Sequence, residues 1–196
     1  NDMDLKYYRG ITDVTCELMP TLMITDNIKT YDGERNGVMV GGNWVTAYRG
    51  FDSYVVGKML SENISAPTTG RMKDDEKMLD INHLPWVMWD DWMYELSKHK
   101  YGVQLGTAAA GTFNLNCAYL GVPCIGYDNV NTQKYLHPNL SVPDGDVESA
   151  RKIAEELSNN NSFYEECSNK CKENYEKLYS ENIFLKKIND IIKKNL

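Results

Sequence analysis

No apolar run in this 196-residue chain approaches the roughly 20 residues a bilayer-spanning helix needs, so no segment reads as transmembrane. Cysteine is sparse and scattered. Cys16, Cys117, Cys124, Cys167 and Cys171 form no zinc-ligand spacing, and an odd count over such a length is no disulfide framework, so the thiols are read as reduced. The i,i+4 pair Cys167/Cys171 reads as core packing on a helix face. Histidine is scarcer, at three, and His83, His99 and His137 stand in no nucleophile–base–acid order, which leaves them solvated or capping roles. Neither G-x-G-x-x-G nor G-x-x-x-x-G-K-[ST] occurs, which removes support for dinucleotide redox and for Walker-type phosphoryl transfer. Positive charge is in deficit as well. The 21 Lys+Arg against 28 Asp+Glu give a net charge of −7 with no basic cluster on one element, which argues against nucleic acid as a partner.

What is present fits a folded domain: 42% of residues are hydrophobic and 25% charged. From Asn36 onward short apolar runs alternate with segments of helical period, the pattern of βα units around a parallel sheet. Val38–Val40 before Gly41-Gly42 predicts a strand, and Phe51, Tyr54, Val55 and Met59 a helix after it. Ile64–Ala66 and Leu84–Trp89 are further strand candidates. Asp90 suits an N-cap for a helix over 90–99, since its carboxylate can accept first-turn amides. Gly102–Leu105 predicts a strand, Phe113–Leu120 a helix stopped by Gly121, Pro123–Gly126 a buried strand and Leu140–Val142 a short last one. Asp146 then predicts the cap of a helix with Val147, Ala150, Ile153, Ala154 and Leu157 inward, and beyond Asn159 the chain reads as helical to its end.

The expected fold class is therefore α/β, a doubly wound parallel sheet of about six strands, Rossmann-like, with a helical C-terminal extension. Residues 1–35 read as a lead-in, the end of a preceding domain, with Tyr7, Tyr8, Ile11 and Val14 helical and Thr21 to Thr25 an added strand. Residues 36–160 read as the ligand-binding domain and 161–196 as helices packing on it. The acidic groups Asp74-Asp75-Glu76 and Asp90-Asp91 read as solvated faces and caps, because adjacent helical residues point apart.

Ligands of open parallel sheets bind beyond the carboxyl ends of the strands, where helix N-termini present unpaired amides and a partial positive charge. Two turns suit that role. Gly41-Gly42-Asn43 lets the backbone approach a phosphate, with Arg49 just before the next helix. Gly106-Thr107-Ala108-Ala109-Ala110-Gly111-Thr112 leaves an open crevice ending in a hydroxyl at a helix start. Either turn alone is equally a tight connection that needs glycine for its dihedrals; together they favour a phosphate-bearing ligand.

The segment from Gly102 to Leu185 resembles the C-terminal, donor-binding domain of GT-B fold glycosyltransferases. Ala118-Tyr119-Leu120-Gly121-Val122-Pro123-Cys124-Ile125-Gly126, with its Gly-Val-Pro-x-Ile element, is the most specific part, and Gly41-Gly42 with Arg49-Gly50-Phe51-Asp52 looks like the family's first strand and glycine turn. The resemblance implies a transferase that moves a sugar from a nucleotide-diphosphate sugar, with no metal or other cofactor, and an acceptor site on an N-terminal domain missing from this chain. It implies phosphate contacts from Gly41, Gly42 and Arg49, contacts to diphosphate or sugar from Thr107, Gly111 and Thr112, and base contacts near Trp86 and Val87. Many retaining members carry two glutamates where this chain has Ala108 and Asn116; Asn116 remains able to hydrogen-bond ribose, whereas Ala108 cannot engage the sugar. A nucleotide-sugar epimerase and a non-catalytic nucleotide-binding or assembly module are the alternatives. The expected location is cytoplasmic, free or peripheral to a membrane, and the chain alone is expected to bind donor weakly without turnover.

Overall fold

The computed structural model describes residues 2–42, 50–68, 73–106 and 111–195. Among them, β1 (Val38–Val40), β2 (Ile64–Pro67), β3 (Asn82–Leu84), β4 (Tyr101–Gln104), β5 (Cys124–Tyr127) and β6 (Ser141–Val142) form one six-stranded sheet. Its order is β3-β2-β1-β4-β5-β6 and every pairing is parallel, with Val38 opposite both Ile64 and Tyr101 and Gly102 opposite Cys124. This is a Rossmann-like α/β fold with trailing C-terminal helices.

Side chains alternating along the strands build two cores, one on each face. Val38, Val40, Val103 and Ile125 pack with Val56 and Leu60 of α2 (Phe51–Leu60) and with Ala150, Ala154 and Leu157 of α7 (Val147–Asn159). Met39 and Cys124 point the other way, to Met93 and Leu96 of α4 (Trp89–Ser97), Leu115 and Cys117 of α5 (Thr112–Leu120), and Cys171 and Tyr175 of α8 (Asn161–Leu178). A sheet buried on both faces explains why its strands read as continuous apolar runs.

Helix ends follow their local chemistry. Asp146 caps α7 by accepting from the Ser149 amide at 3.0 Å, as its sequence position predicts. Gly121 ends α5 with φ +66, where a Cβ would be strained. Arg35 donates to the Leu120 and Gly121 carbonyls at 2.7 and 3.0 Å, satisfying acceptors that the helix end leaves open.

Four expectations need correction. The third strand is Asn82–Leu84 rather than 84–89, because Pro85 has no amide to continue the ladder. Met88 is the N-cap residue of α4, and Asp90 lies inside its first turn, where a carboxylate still meets the positive end of the helix dipole. Thr21 to Thr25 forms no strand; the lead-in contains α1 (Asp2–Ile11) and is anchored by the buried Met23. The acidic run at 74–76 is not wholly solvated, since Glu76, in α3 (Asp74–Lys77), is buried with its Oε1 3.1 Å from His83 Nε2.

Candidate functional site

The strand order reverses between β1 and β4, and the crevice outside their carboxyl ends is where such a sheet has room for a ligand. The chain shapes both margins. β1 runs on into Gly41, whose amide donates to the Val103 carbonyl at 3.0 Å, and then into Gly42 with φ +85. A Cβ on Gly41 would lie 2.3 Å from Cγ of Phe113, so this glycine makes room for an α5 ring, while Gly42 supplies the left-handed turn. β4 ends at Gln104, and the next amide, of Leu105, donates to the buried Ser53 hydroxyl in the first turn of α2 at 3.0 Å. Ser53 thereby ties the ends of the two central units together.

α5 starts at Thr112 after Gly111, whose φ of +77 and whose would-be Cβ, 2.1 Å from Thr132 Oγ1, both demand glycine. Its first backbone bond runs from the Leu115 amide to the Gly111 carbonyl, and no side chain caps the helix. The amides of Thr112, Phe113 and Asn114 therefore have no intrahelical acceptor and form the positive end of the helix dipole.

Between these margins lies a cleft of about 270 Å³. One flank consists of Pro67, Thr68, Pro85, Trp86 and Val87, from the ends of β2 and β3; the other consists of Gly42, Thr112 and Phe113; Gln104, Trp92 and Asn116 complete the lining. Trp86 is 76% exposed and offers an aromatic face at the rim. Asn116 is buried, its amide oxygen accepting from Trp92 Nε1 at 3.0 Å and its nitrogen donating to the Thr112 carbonyl at 2.9 Å. That amide braces α4 against the start of α5. Gln104 is 6% exposed, and its Oε1, buried, has no hydrogen-bond partner.

Of the residues singled out from the sequence, Gly42, Trp86, Val87, Thr112 and Asn116 thus meet in one cleft. Gly41 and Gly111 stand just behind it and carry packing and backbone roles. Arg49, Thr107 and Ala108 lie outside the described residues. Sequence reasoning missed Gln104 and Trp92; a lone amide at the end of an apolar strand, directly before a small-residue turn, was the signal for the first.

Two histidines stand at helix ends, as a capping role predicts: His99 Nδ1 lies 3.0 Å from the Glu95 carbonyl in the last turn of α4, and His137 is the C-cap residue of α6 (Asn131–Leu136). His137, 2% exposed, joins α5 to β5: its Nδ1 accepts from the Cys124 amide at 3.4 Å and its Nε2 lies 2.9 Å from the Asn114 carbonyl. Burial pushes it down to about 4, so it stays neutral at physiological pH. His99 is buried too and shifted down by the same cause, while His83 faces Glu76. None of the three is solvated. All five cysteines are free thiols, and burial pushes Cys167 and Cys171 up to about 12, which leaves these two inert as nucleophiles. Among the described residues no group of three or more His, Cys, Asp and Glu converges to hold a metal ion, and no helix is long and apolar enough to cross a membrane.

A larger hollow of about 590 Å³ lies between Leu18–Thr21 of the lead-in, Val130–Thr132 at the start of α6 (Asn131–Leu136), the end of α8 and α9 (Glu181–Asn195). Its walls are mainly Leu18, Met19, Pro20, Val130, Leu178, Tyr179 and Ile183. None of its lining residues comes from the ends of β1 to β4, whereas the smaller cleft is lined from the ends of β2 and β3, by Gly42 just after β1 and by Gln104 of β4, so the smaller cleft is the better candidate site.

No family model matches the sequence, and neither does any curated protein sequence. The fold is nonetheless shared with solved structures. A variant of TarM from S. aureus, solved in complex with Fondaparinux, alpha-GlcNAc-glycerol and UDP, aligns with a TM-score of 0.73 at 13% identity over 97% of this chain and 42% of its own. A second TarM structure gives 0.64 at 17% identity, covering 84% of this chain and 37% of its own. Sucrose-phosphate synthase from Thermosynechococcus elongatus gives 0.65 at 10% identity, covering 81% and 45%. At such identities the likeness is one of fold, and the chain spans less than half the length of each.

Proposed function

We propose that this chain is the donor-binding half of a GT-B glycosyltransferase and holds a nucleotide-diphosphate sugar in the cleft at the ends of β1 and β4. The observation that carries the reading is the meeting of Gly42, Thr112, Trp86 and Val87 in one cleft at the N-terminal end of α5. A nucleotide sugar needs an apolar face for its base and concentrated donors for its diphosphate, and the cleft's two flanks supply one each. Its 270 Å³ is small beside the roughly 300–1,000 Å³ of typical ligand sites, which suits a nucleotide with its phosphates at the Thr112 end and the transferred sugar extending outward. The shared fold with TarM, solved with UDP, and with sucrose-phosphate synthase supports glycosyl transfer as the chemistry.

In this reading the diphosphate leaves as the glycosidic bond breaks, and the charge developing on it is met by the Thr112, Phe113 and Asn114 amides, held in place before the reaction by the helix. Arg49 would add a guanidinium. Thr107 and Gly111 would contact the diphosphate or sugar, and Gly41 supports the first turn from behind. Trp86 stacks the base, with Val87 beside it. Residues 36–160 form the donor domain, 161–196 its helical buttress, and 1–35 the connection from a preceding domain that carries the acceptor site. No metal or further cofactor is invoked, and the reading places the protein in the cytoplasm, free or peripheral to a membrane.

Calorimetric titration with UDP-, GDP-, ADP- and CMP-sugars tests the proposal. Binding of at least one, weakened by Trp86→Ala, is the expected result; no binding by any at millimolar ligand would overturn it.

A further inference from the structure

Gln104 occupies a position that folding alone does not explain. It ends the central strand β4, is 94% buried by its 6% exposure, lines the cleft, and leaves its buried amide oxygen without a hydrogen-bond donor. A buried carbonyl left unpaired typically costs about 1–3 kcal/mol, so such atoms are rare in native chains. Asn116, the other amide in the cleft, is engaged with Trp92 and with the Thr112 backbone. Of the two amides that line the cleft, Gln104 is the one with unmet capacity.

Resting on the proposed nucleotide-sugar reading, we infer that Gln104 is the ribose-recognising residue of this cleft and accepts a hydrogen bond from a hydroxyl of the sugar's vicinal diol. The geometry orders the ligand along the cleft. Trp86 and Val87 mark the base end, Thr112 and Gly42 the phosphate end, and the group that joins a base to a phosphate is the pentose. Gln104, on the strand between the flanks, faces that middle portion. An amide offers an acceptor and donors side by side, and each ribose hydroxyl can likewise donate and accept, so the pairing satisfies both partners. The residue thereby selects ribonucleotides over deoxyribonucleotides, because a ligand without the hydroxyl leaves the buried oxygen unpaired.

The test is calorimetric titration of the full chain with UDP, GDP, ADP and CDP, followed by the 2′-deoxy and 3′-deoxy forms of whichever binds. The unmodified chain is expected to lose ~3–10-fold in affinity for one deoxy form, the effect of one net hydrogen bond. Gln104→Met is expected to weaken the ribonucleotide by the same factor and to bind all three forms alike. Its ligand-free melting temperature is expected to hold or rise, since the substitution removes an unpaired buried oxygen. Equal binding of ribo and deoxy forms by the unmodified chain, a measurement that needs no variant to fold, overturns the inference, as does discrimination that survives in Gln104→Met. Failure of all four diphosphates to bind overturns the nucleotide reading itself and this inference with it.

Discussion

The ring of Phe113 occupies the space in which a side chain on Gly41 would lie: a Cβ there would be 2.3 Å from the ring's Cγ. The first residue of α5 to enter the core is thus keyed to the first residue after β1, and the flank of the cleft that carries Gly42, Thr112 and Phe113 is held together. Gly41→Ala is expected to cost about 1–3 kcal/mol of stability, the range for overpacking a filled core, read as a lower urea midpoint with unchanged slope. Phe113→Leu in the same chain should return part of that loss. A Gly41→Ala midpoint equal to the parent's would show that the ring moves aside freely.

The contrast between the two adjacent glycines shows how much of this site could be read from residue order. The Gly-Gly pair after an apolar run marks the strand end, and Gly-Val-Pro after a helix marks its stop. Which glycine serves packing and which serves the backbone depends on Phe113, distant in sequence, and on the φ of +85 at Gly42. β1, β4 and β5 stood out because burial on both faces makes strands uniformly apolar. β3 was displaced because Asn82 and His83 carry no apolar signal while the residues after Pro85 do. α6 was missed because six residues are too few for a helical period. Gln104 carried a signal only as a lone amide at the end of an apolar strand, and the buried His137 and Glu76 were not legible, since their environments are set by elements elsewhere in the chain.

Trp86 stands at the rim, 76% exposed, so its removal should leave folding almost untouched. Stacking of a base on an aromatic is worth about 1–3 kcal/mol, so Trp86→Ala is expected to weaken nucleotide binding by roughly 5–150-fold. Parallel calorimetry and thermal unfolding check this. A large fall in melting temperature, or unaltered affinity, would contradict a stacking role.

Asn116 carries the opposite expectation. Its amide joins the Trp92 indole to the Thr112 carbonyl, so Asn116→Ala removes both hydrogen bonds of a buried side chain and should cost about 1–3 kcal/mol in chemical denaturation. The discrimination between ribose and deoxyribose should persist in this variant. Loss of discrimination with stability intact would move the ribose contact from Gln104 to Asn116.

His137 makes stability depend on pH. In the unfolded chain it titrates near the ordinary value of about 6.5, and in the folded chain burial lowers it to about 4, so below about pH 6.5 the unfolded state binds more protons. Stability is therefore full above that value and falls as the solution is acidified toward about pH 4. His99, lowered by burial, contributes with the same sign. A loss of about 2 kcal/mol between about pH 7 and about pH 5 is expected for the parent, and a smaller loss for His137→Gln. Urea midpoints across that window decide it; a flat profile would place a charged His137 in the folded chain.

The most direct test of the account is amide hydrogen exchange of the full chain, with and without whichever of UDP, GDP, ADP or CDP binds. The switch-point cleft predicts slowed exchange at the Thr112, Phe113 and Asn114 amides and around Gly42 and Val87, with Leu18 to Thr21 and α9 unchanged. Slowing confined to the lead-in and α9, around the larger hollow, would contradict it and move the nucleotide to the other side of α5.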